Sequence, residues 1–149
     1  PSIFWCPAIN FAIETAMRLS EQLNLLWQNV DLTKRTAFLP AEVTKGNRSR
    51  TVPLSDKAIK VLNEIPRHIN GKVFPMSLNY HNKGWRALTK RADIVGLRWH
   101  DLRREATSRL FEQGLSVTEV QSVTGHRTLQ MLSTYTNHDA EKIVIKMRS

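Results

Sequence analysis

The chain has one cysteine, Cys6, so no disulfide can close within it, and a reducing compartment is the expected setting. It also lacks a long uninterrupted apolar run. The stretch from Ile3 to Leu19 is the most apolar, but Pro7, Asn10, Glu14 and Arg18 interrupt it, which argues against a membrane span. The basic start and small-residue cleavage site of a signal peptide are missing as well. Acidic residues are scarce: 13 Asp and Glu stand against 22 Lys and Arg, a net charge of +9. That surplus favours an anionic partner. Nucleic acid fits better than a membrane, because no basic amphipathic anchor is evident. Hydrophobic residues make up 41% of the 149, enough for one domain with a real core and too many for a disordered chain. There is no internal repeat and no low-complexity segment.

Periodicity and capping residues place the elements. Ala8 to Leu19 reads as a helix with Ile9, Ile13, Ala16 and Met17 on one face. Ser20 is the expected N-cap of a short second helix, Glu21 to Trp27, which leaves Arg18 at a junction where a side chain can project into a cleft. From Asp31 to Leu54, Thr36, Phe38, Val43, Thr51 and Val52 favour strands and Lys45-Gly46-Asn47 signals a turn, so two or three antiparallel strands are expected. Ser55 caps a helix through Ile65, and Pro66 to Pro75 is a connection with a short extended piece at Val73-Phe74. Further helices are expected over Leu78–Ala92 with Trp85 and Leu88 inward, from His100 to Gly114, from Ser116 to Val123, over Thr128–Tyr135 and over Ala140–Met147. The fold class is α+β, mainly α: helices with one small antiparallel sheet.

Chemistry concentrates between His100 and Tyr135. His100 and Arg103 are three residues apart and can share a helix face. His126 follows Gly125, and Tyr135 lies nine residues beyond it. This set offers an arginine for a phosphate, two imidazoles for hydrogen bonding or proton transfer, and a phenol that can attack. A tyrosine nucleophile needs a charge clamp on its target, since its phenol is weak at its free pKa near 10. A second arginine, Arg18, is available upstream, and the planar guanidinium fork matches two phosphate oxygens. Each residue also has a plainer reading: a surface or carboxylate-paired arginine, a satisfied buried histidine, a half-buried tyrosine. Cys6, His68, His81, His100, His126 and His138 show no zinc-ligand spacing.

Five segments, in order, resemble the tyrosine recombinases, or phage integrase family. They are Thr15-Ala16-Met17-Arg18-Leu19-Ser20-Glu21; Thr44-Lys45-Gly46 followed by Arg50-Thr51-Val52-Pro53-Leu54; His100-Asp101-Leu102-Arg103; Thr124-Gly125-His126; and Tyr135-Thr136. The resemblance spans nearly the whole chain. It implies a DNA breaking-rejoining enzyme fold and a site-specific recombinase that cleaves and rejoins strands through a 3′-phosphotyrosyl link. The implied catalytic residues are Arg18, Lys45, His100, Arg103, His126 and Tyr135, with Lys45 as general acid and Glu21 supporting the arginines. Lys34, Arg35, Arg48 and Arg50 compete with Lys45 for its role.

The resemblance also implies metal-free chemistry without a cofactor, double-stranded DNA as partner, and assembly as a tetramer on DNA. In that assembly the tail after Tyr135 docks on a neighbour, and Ile143, Val144, Ile145 and Met147 give it an apolar surface; the alternative is that they pack on their own domain. Residues 1–149 are expected to form a single catalytic domain, a fragment that opens in mid-pattern, with a preceding helix and a separate N-terminal DNA-binding domain absent. Such a fragment should be mainly monomeric without DNA, in the cytoplasm of a bacterial or phage-infected cell. A type IB topoisomerase-like relaxing enzyme and a non-catalytic DNA-binding module are the other readings. The chain departs from the family pattern at Ala16 for glycine, a change expected to be mild because alanine is the better helix former; at Arg104 for histidine; and at Thr124 for leucine, with weaker local packing expected.

Overall fold

A computed structural model describes residues 2–136 and 139–148; His138 of the histidine set falls outside them. The first helix, α1 (Trp5–Thr15), turns Ala8, Phe11, Ala12 and Thr15 inward, the 3–4 spacing of a buried helical stripe. It ends earlier than the expected Leu19, because Ala16 takes a left-handed conformation with φ 58°. Its N–H still reaches the Ala12 carbonyl at 3.1 Å, closing the last turn. The following α2 (Leu19–Leu23) also differs from expectation. Arg18, not Ser20, occupies the N-cap position, and its backbone N–H donates to the Glu21 carboxylate at 2.8 Å. Trp27 lies outside α2, in a 3-10 turn over Trp27–Asn29. The buried Gln22 ties α2 to α1 by donating to the Ala8 carbonyl at 2.9 Å.

A three-stranded antiparallel sheet follows in the order β1 (Val30–Asp31), β2 (Thr36–Leu39), β3 (Arg50–Pro53). Its register pairs Ala37 with Val52 and Leu39 with Arg50. Ala37, Leu39 and Val52 are fully buried while Phe38 and Thr51 face out, the period-2 pattern of a half-covered sheet. Val43, expected in a strand, sits in a 3-10 turn (Ala41–Val43) within the long β2–β3 connection. Serine caps start the next two helices. Ser55 accepts from the Ala58 N–H to start α3 (Asp56–Glu64), and Ser77 from the Tyr80 N–H to start α4 (Leu78–Arg91). Next come α5 (Trp99–Glu112) and α6 (Val117–Thr124), with Ser116 and Gly125 as the caps of α6. A 3-10 segment covers Leu129–Tyr135, and α7 spans Ala140–Met147. Val73 and Phe74, expected to be extended, form a bend just after a single bridge between Leu26 and Lys72; both are buried, and the Val73 N–H donates to the Leu25 carbonyl at 3.0 Å.

In the core, α1 is packed against α3 and α5, and α6 against β3. An aromatic cluster fixes the start of α5: the His81 ring lies 4.4 Å from Trp99, and Trp85 lies 5.1 Å from it. A Cβ at Gly84 would collide with Trp5, so α4 can approach α1 this closely only with glycine there. All residues of α7 are exposed, Ile143, Val144, Ile145 and Met147 among them.

Candidate active site

Four of the six expected residues converge where α2, α5 and α6 meet. Arg18 and Arg103 line a small cleft with His100. On its other side Arg18 lines a second cleft, of about 380 Å³, with His126, Arg48, Arg50 and Arg127.

Arg103 is 4% exposed, and among the described residues its hydrogen bonds go to backbone carbonyls, not to a carboxylate. Its Nη1 donates to the Ala16 and Thr124 carbonyls at 2.5 and 2.8 Å, which joins α1, α5 and α6. Its Nη2 is buried and has no hydrogen-bond partner among the described residues. Burial lowers the Arg103 pKa to about 9, with the neighbouring Arg18 and Arg50 charges adding to the effect, so the side chain is still protonated at neutral pH. Arg18 is likewise shifted down, first by burial and then by Arg50 and Arg127, against the opposing pull of Glu21.

Glu21 is the counter-charge of this cluster. It is fully buried and accepts two hydrogen bonds from Arg50, at 2.5 and 2.9 Å, with Arg18 at 4.0 Å. Arg50 also donates to the Val123 carbonyl at 3.1 Å. The support expected of Glu21 is therefore present, and Arg50 is its main partner. Of the residues weighed against Lys45, Arg50 is thus held by Glu21 and Val123, and Arg35 pairs with Asp56 at 2.7 Å.

Both imidazoles are shifted toward the neutral form. Burial, then the charges of Arg103, Arg104 and Arg18, lowers the His100 pKa. Burial, then Arg103, Arg18 and Arg50, pushes His126 down to about 4. The His126 Nδ1 lies 2.5 Å from the hydroxyl of the fully buried Thr124. Thr124 therefore packs well and adds a polar contact, in place of the weakness expected from losing leucine.

Lys45 and Tyr135 stand at the margins. Lys45 is exposed on its turn and does not line the cleft. The turn is closed by the Thr44 hydroxyl, which accepts from the Arg48 N–H at 3.1 Å, and the Lys45 carbonyl accepts from Arg127 at 3.3 Å. Tyr135 ends its 3-10 segment half-buried, with its ring stacked on Phe111 of α5 at 6.3 Å. It is near enough to Arg103 to act on its charge. Sequence reasoning underrated Arg50 and Thr124. Both depend on contacts between segments distant in sequence or on a ring's orientation, which no local pattern marks.

Among the described residues no cluster of three His, Cys, Asp or Glu could hold a metal ion, and no helix is long and apolar enough to cross a membrane.

The mainly helical fold with its small three-stranded sheet is that of tyrosine recombinase catalytic domains. The catalytic domain of bacteriophage HP1 integrase superposes with a TM-score of 0.68 at 20% identity, covering 89% of this chain and 73% of that one. The Tn1549 transposon integrase, solved with a circular intermediate DNA, gives a TM-score of 0.77 at 17% identity, covering 99% of this chain and 58% of that one. The pattern of the phage integrase family matches residues 6–142, and the chain belongs to that family. The shufflon-specific DNA recombinase of Escherichia coli is 42% identical over 139 residues, covering 93% of this chain and 36% of that protein, so the chain spans little more than a third of this relative.

Proposed function

We propose that residues 1–149 form a catalytic domain that cleaves and rejoins double-stranded DNA at specific sites through Tyr135. The observation that carries this reading is Arg103 Nη2: a buried guanidinium donor without a partner among the described residues, beside Arg18 and two imidazoles whose pKa values are lowered. Leaving such a donor unmet costs about 1–3 kcal/mol, more for a charged group. A phosphodiester oxygen is the acceptor that fits it, because the surrounding charge is positive and a five-coordinate phosphorus concentrates negative charge on its non-bridging oxygens.

In this reading the Tyr135 oxygen attacks phosphorus, the P–O5′ bond breaks, and a 3′-phosphotyrosyl bond forms. Lys45 gives its proton to O5′. His100 takes the phenol proton, and His126 hydrogen-bonds the phosphate. Attack by another strand's 5′-hydroxyl reverses the step, so the bond energy is conserved and no nucleotide cofactor enters. The +9 charge holds the DNA backbone, mainly by counterion release. The exposed apolar residues of α7 dock on a neighbouring copy in a tetramer assembled on DNA. The cytoplasm of a bacterial or phage-infected cell is where it acts.

A DNA substrate nicked near the cleavage site lets the short 5′-hydroxyl strand diffuse away and traps the adduct. A denaturant-resistant protein–DNA band is the expected result. Absence of any adduct at saturating DNA contradicts the reading. Site-independent relaxation of supercoiled plasmid would assign the chain to the topoisomerase class instead.

A further inference from the structure

We propose that Thr124 is a positioning residue that fixes His126 as the Nε2–H tautomer, directing its one ring proton at the phosphate. The inference builds on the catalytic reading above and adds a residue that the family pattern fills with leucine.

A neutral imidazole has one N–H, and the hydrogen bond made by one nitrogen decides which nitrogen carries it. His126 is neutral at pH 7, since three arginines and burial oppose its protonation. Its Nδ1 sits 2.5 Å from the Thr124 Oγ1. Thr124 is fully buried at the last position of α6, so its side chain has no solvent to turn to. The His126 N–H points at the same oxygen, at 3.4 Å, and takes up one lone pair. A hydroxyl has a second lone pair, so the direction is set by its proton: among the described residues Nδ1 is the one acceptor it has, and a buried hydroxyl that donates to nothing is costly. With Nδ1 accepting, the ring proton resides on Nε2.

The backbone reinforces this geometry. Gly125 takes φ 76° between the two residues, and a Cβ there would crowd the Arg50 guanidinium. The Thr124 carbonyl accepts from Arg103 at 2.8 Å, so one residue holds a guanidinium by its carbonyl and an imidazole by its hydroxyl. A leucine keeps the first contact and loses the second.

The test is 15N spectroscopy of the chain labelled at histidine nitrogens, at pH 7, with Thr124→Val and Thr124→Ser beside the parent. The parent should show His126 with a non-protonated, hydrogen-bonded Nδ1 and a protonated Nε2. Thr124→Ser should retain that signature. Thr124→Val, which keeps the branched shape and removes the hydroxyl, should lose the hydrogen-bonded Nδ1 signal. Cleavage of the nicked substrate should fall about tenfold in Thr124→Val, on the scale of one misaligned donor, and stay within about twofold in Thr124→Ser. A protonated Nδ1 in the parent overturns the proposal, as does an unchanged His126 spectrum in Thr124→Val. Failure of the parent to form any adduct, with the expected tautomer present, would count against the catalytic reading and leave the tautomer assignment standing.

Discussion

Glu21→Gln should be among the most damaging single-atom-scale changes in the chain. The carboxylate is fully buried and meets Arg50 through two oxygens, at 2.5 and 2.9 Å, while its Oε1 also accepts the Arg18 N–H at 2.8 Å. Glutamine keeps the volume, removes the negative charge, and turns an amide toward a guanidinium. Removing one partner of a buried pair costs about 3–5 kcal/mol, because the remaining charge is left uncompensated. The Arg50 side chain is 11% exposed, so some relief by water is available and the lower end of the range applies, about 3 kcal/mol. For a domain of this size that corresponds to a fall in Tm of roughly 6–12 °C. Urea unfolding followed by circular dichroism reads it directly. Millimolar sulfate should restore more stability to the variant than to the parent, since anion binding to the folded state adds stability by mass action. A loss below about 1 kcal/mol, with no gain from sulfate, would refute the idea that Glu21 balances this arginine cluster.

Other expected outcomes follow from the same geometry. Lys45→Ala should slow cleavage of an ordinary substrate far more than one with a 5′-bridging sulfur, because a thiolate leaves without a proton; equal slowing on both would assign Lys45 to binding. Ala16→Gly should change stability by less than about 1 kcal/mol, since relief of a left-handed alanine offsets the lost methyl and the added chain freedom; a loss near 2 kcal/mol in urea would mean that the position behaves as helix interior. The His126 ring resonance should not titrate between about pH 5.5 and 8. Its folded pKa of about 4 lies below the usual 6.5, so the stability that depends on its neutral form is complete above pH 6.5 and is lost as pH falls toward 4. A midpoint near 6.5 in a proton NMR titration would contradict that environment.

Elements whose ends carry their own chemical punctuation were legible in the sequence. Ser55 and Ser116 each accept a backbone N–H at a helix start, and α7 runs from Ala140 to Met147 as its periodicity indicates. The sheet was legible too, because its strands alternate in and out. The end of α1 was not. An alanine in the place of a glycine reads as helix former, and only the tertiary turn toward Arg18 forces it left-handed. The arginine network was legible in part. Arg18, Arg103, His100 and His126 meet as the motif order implied, since their helices pack together. The Glu21–Arg50 pair joins residues 29 apart in sequence, and nothing local to Arg50 distinguishes it from Arg48 or Lys34. The same holds for Thr124, whose value depends on the ring orientation of a residue two positions on.

The central claim is that Tyr135 is the nucleophile, and its most direct measurement is adduct formation by Tyr135→Phe on the nicked substrate, with DNA affinity measured in parallel. The substitution removes one hydroxyl and leaves the ring stacked on Phe111. Tyr135→Phe should form no covalent adduct and should bind DNA within about twofold of the parent, with fold and charge intact. A covalent adduct formed by the phenylalanine variant would place the nucleophile elsewhere and contradict the account.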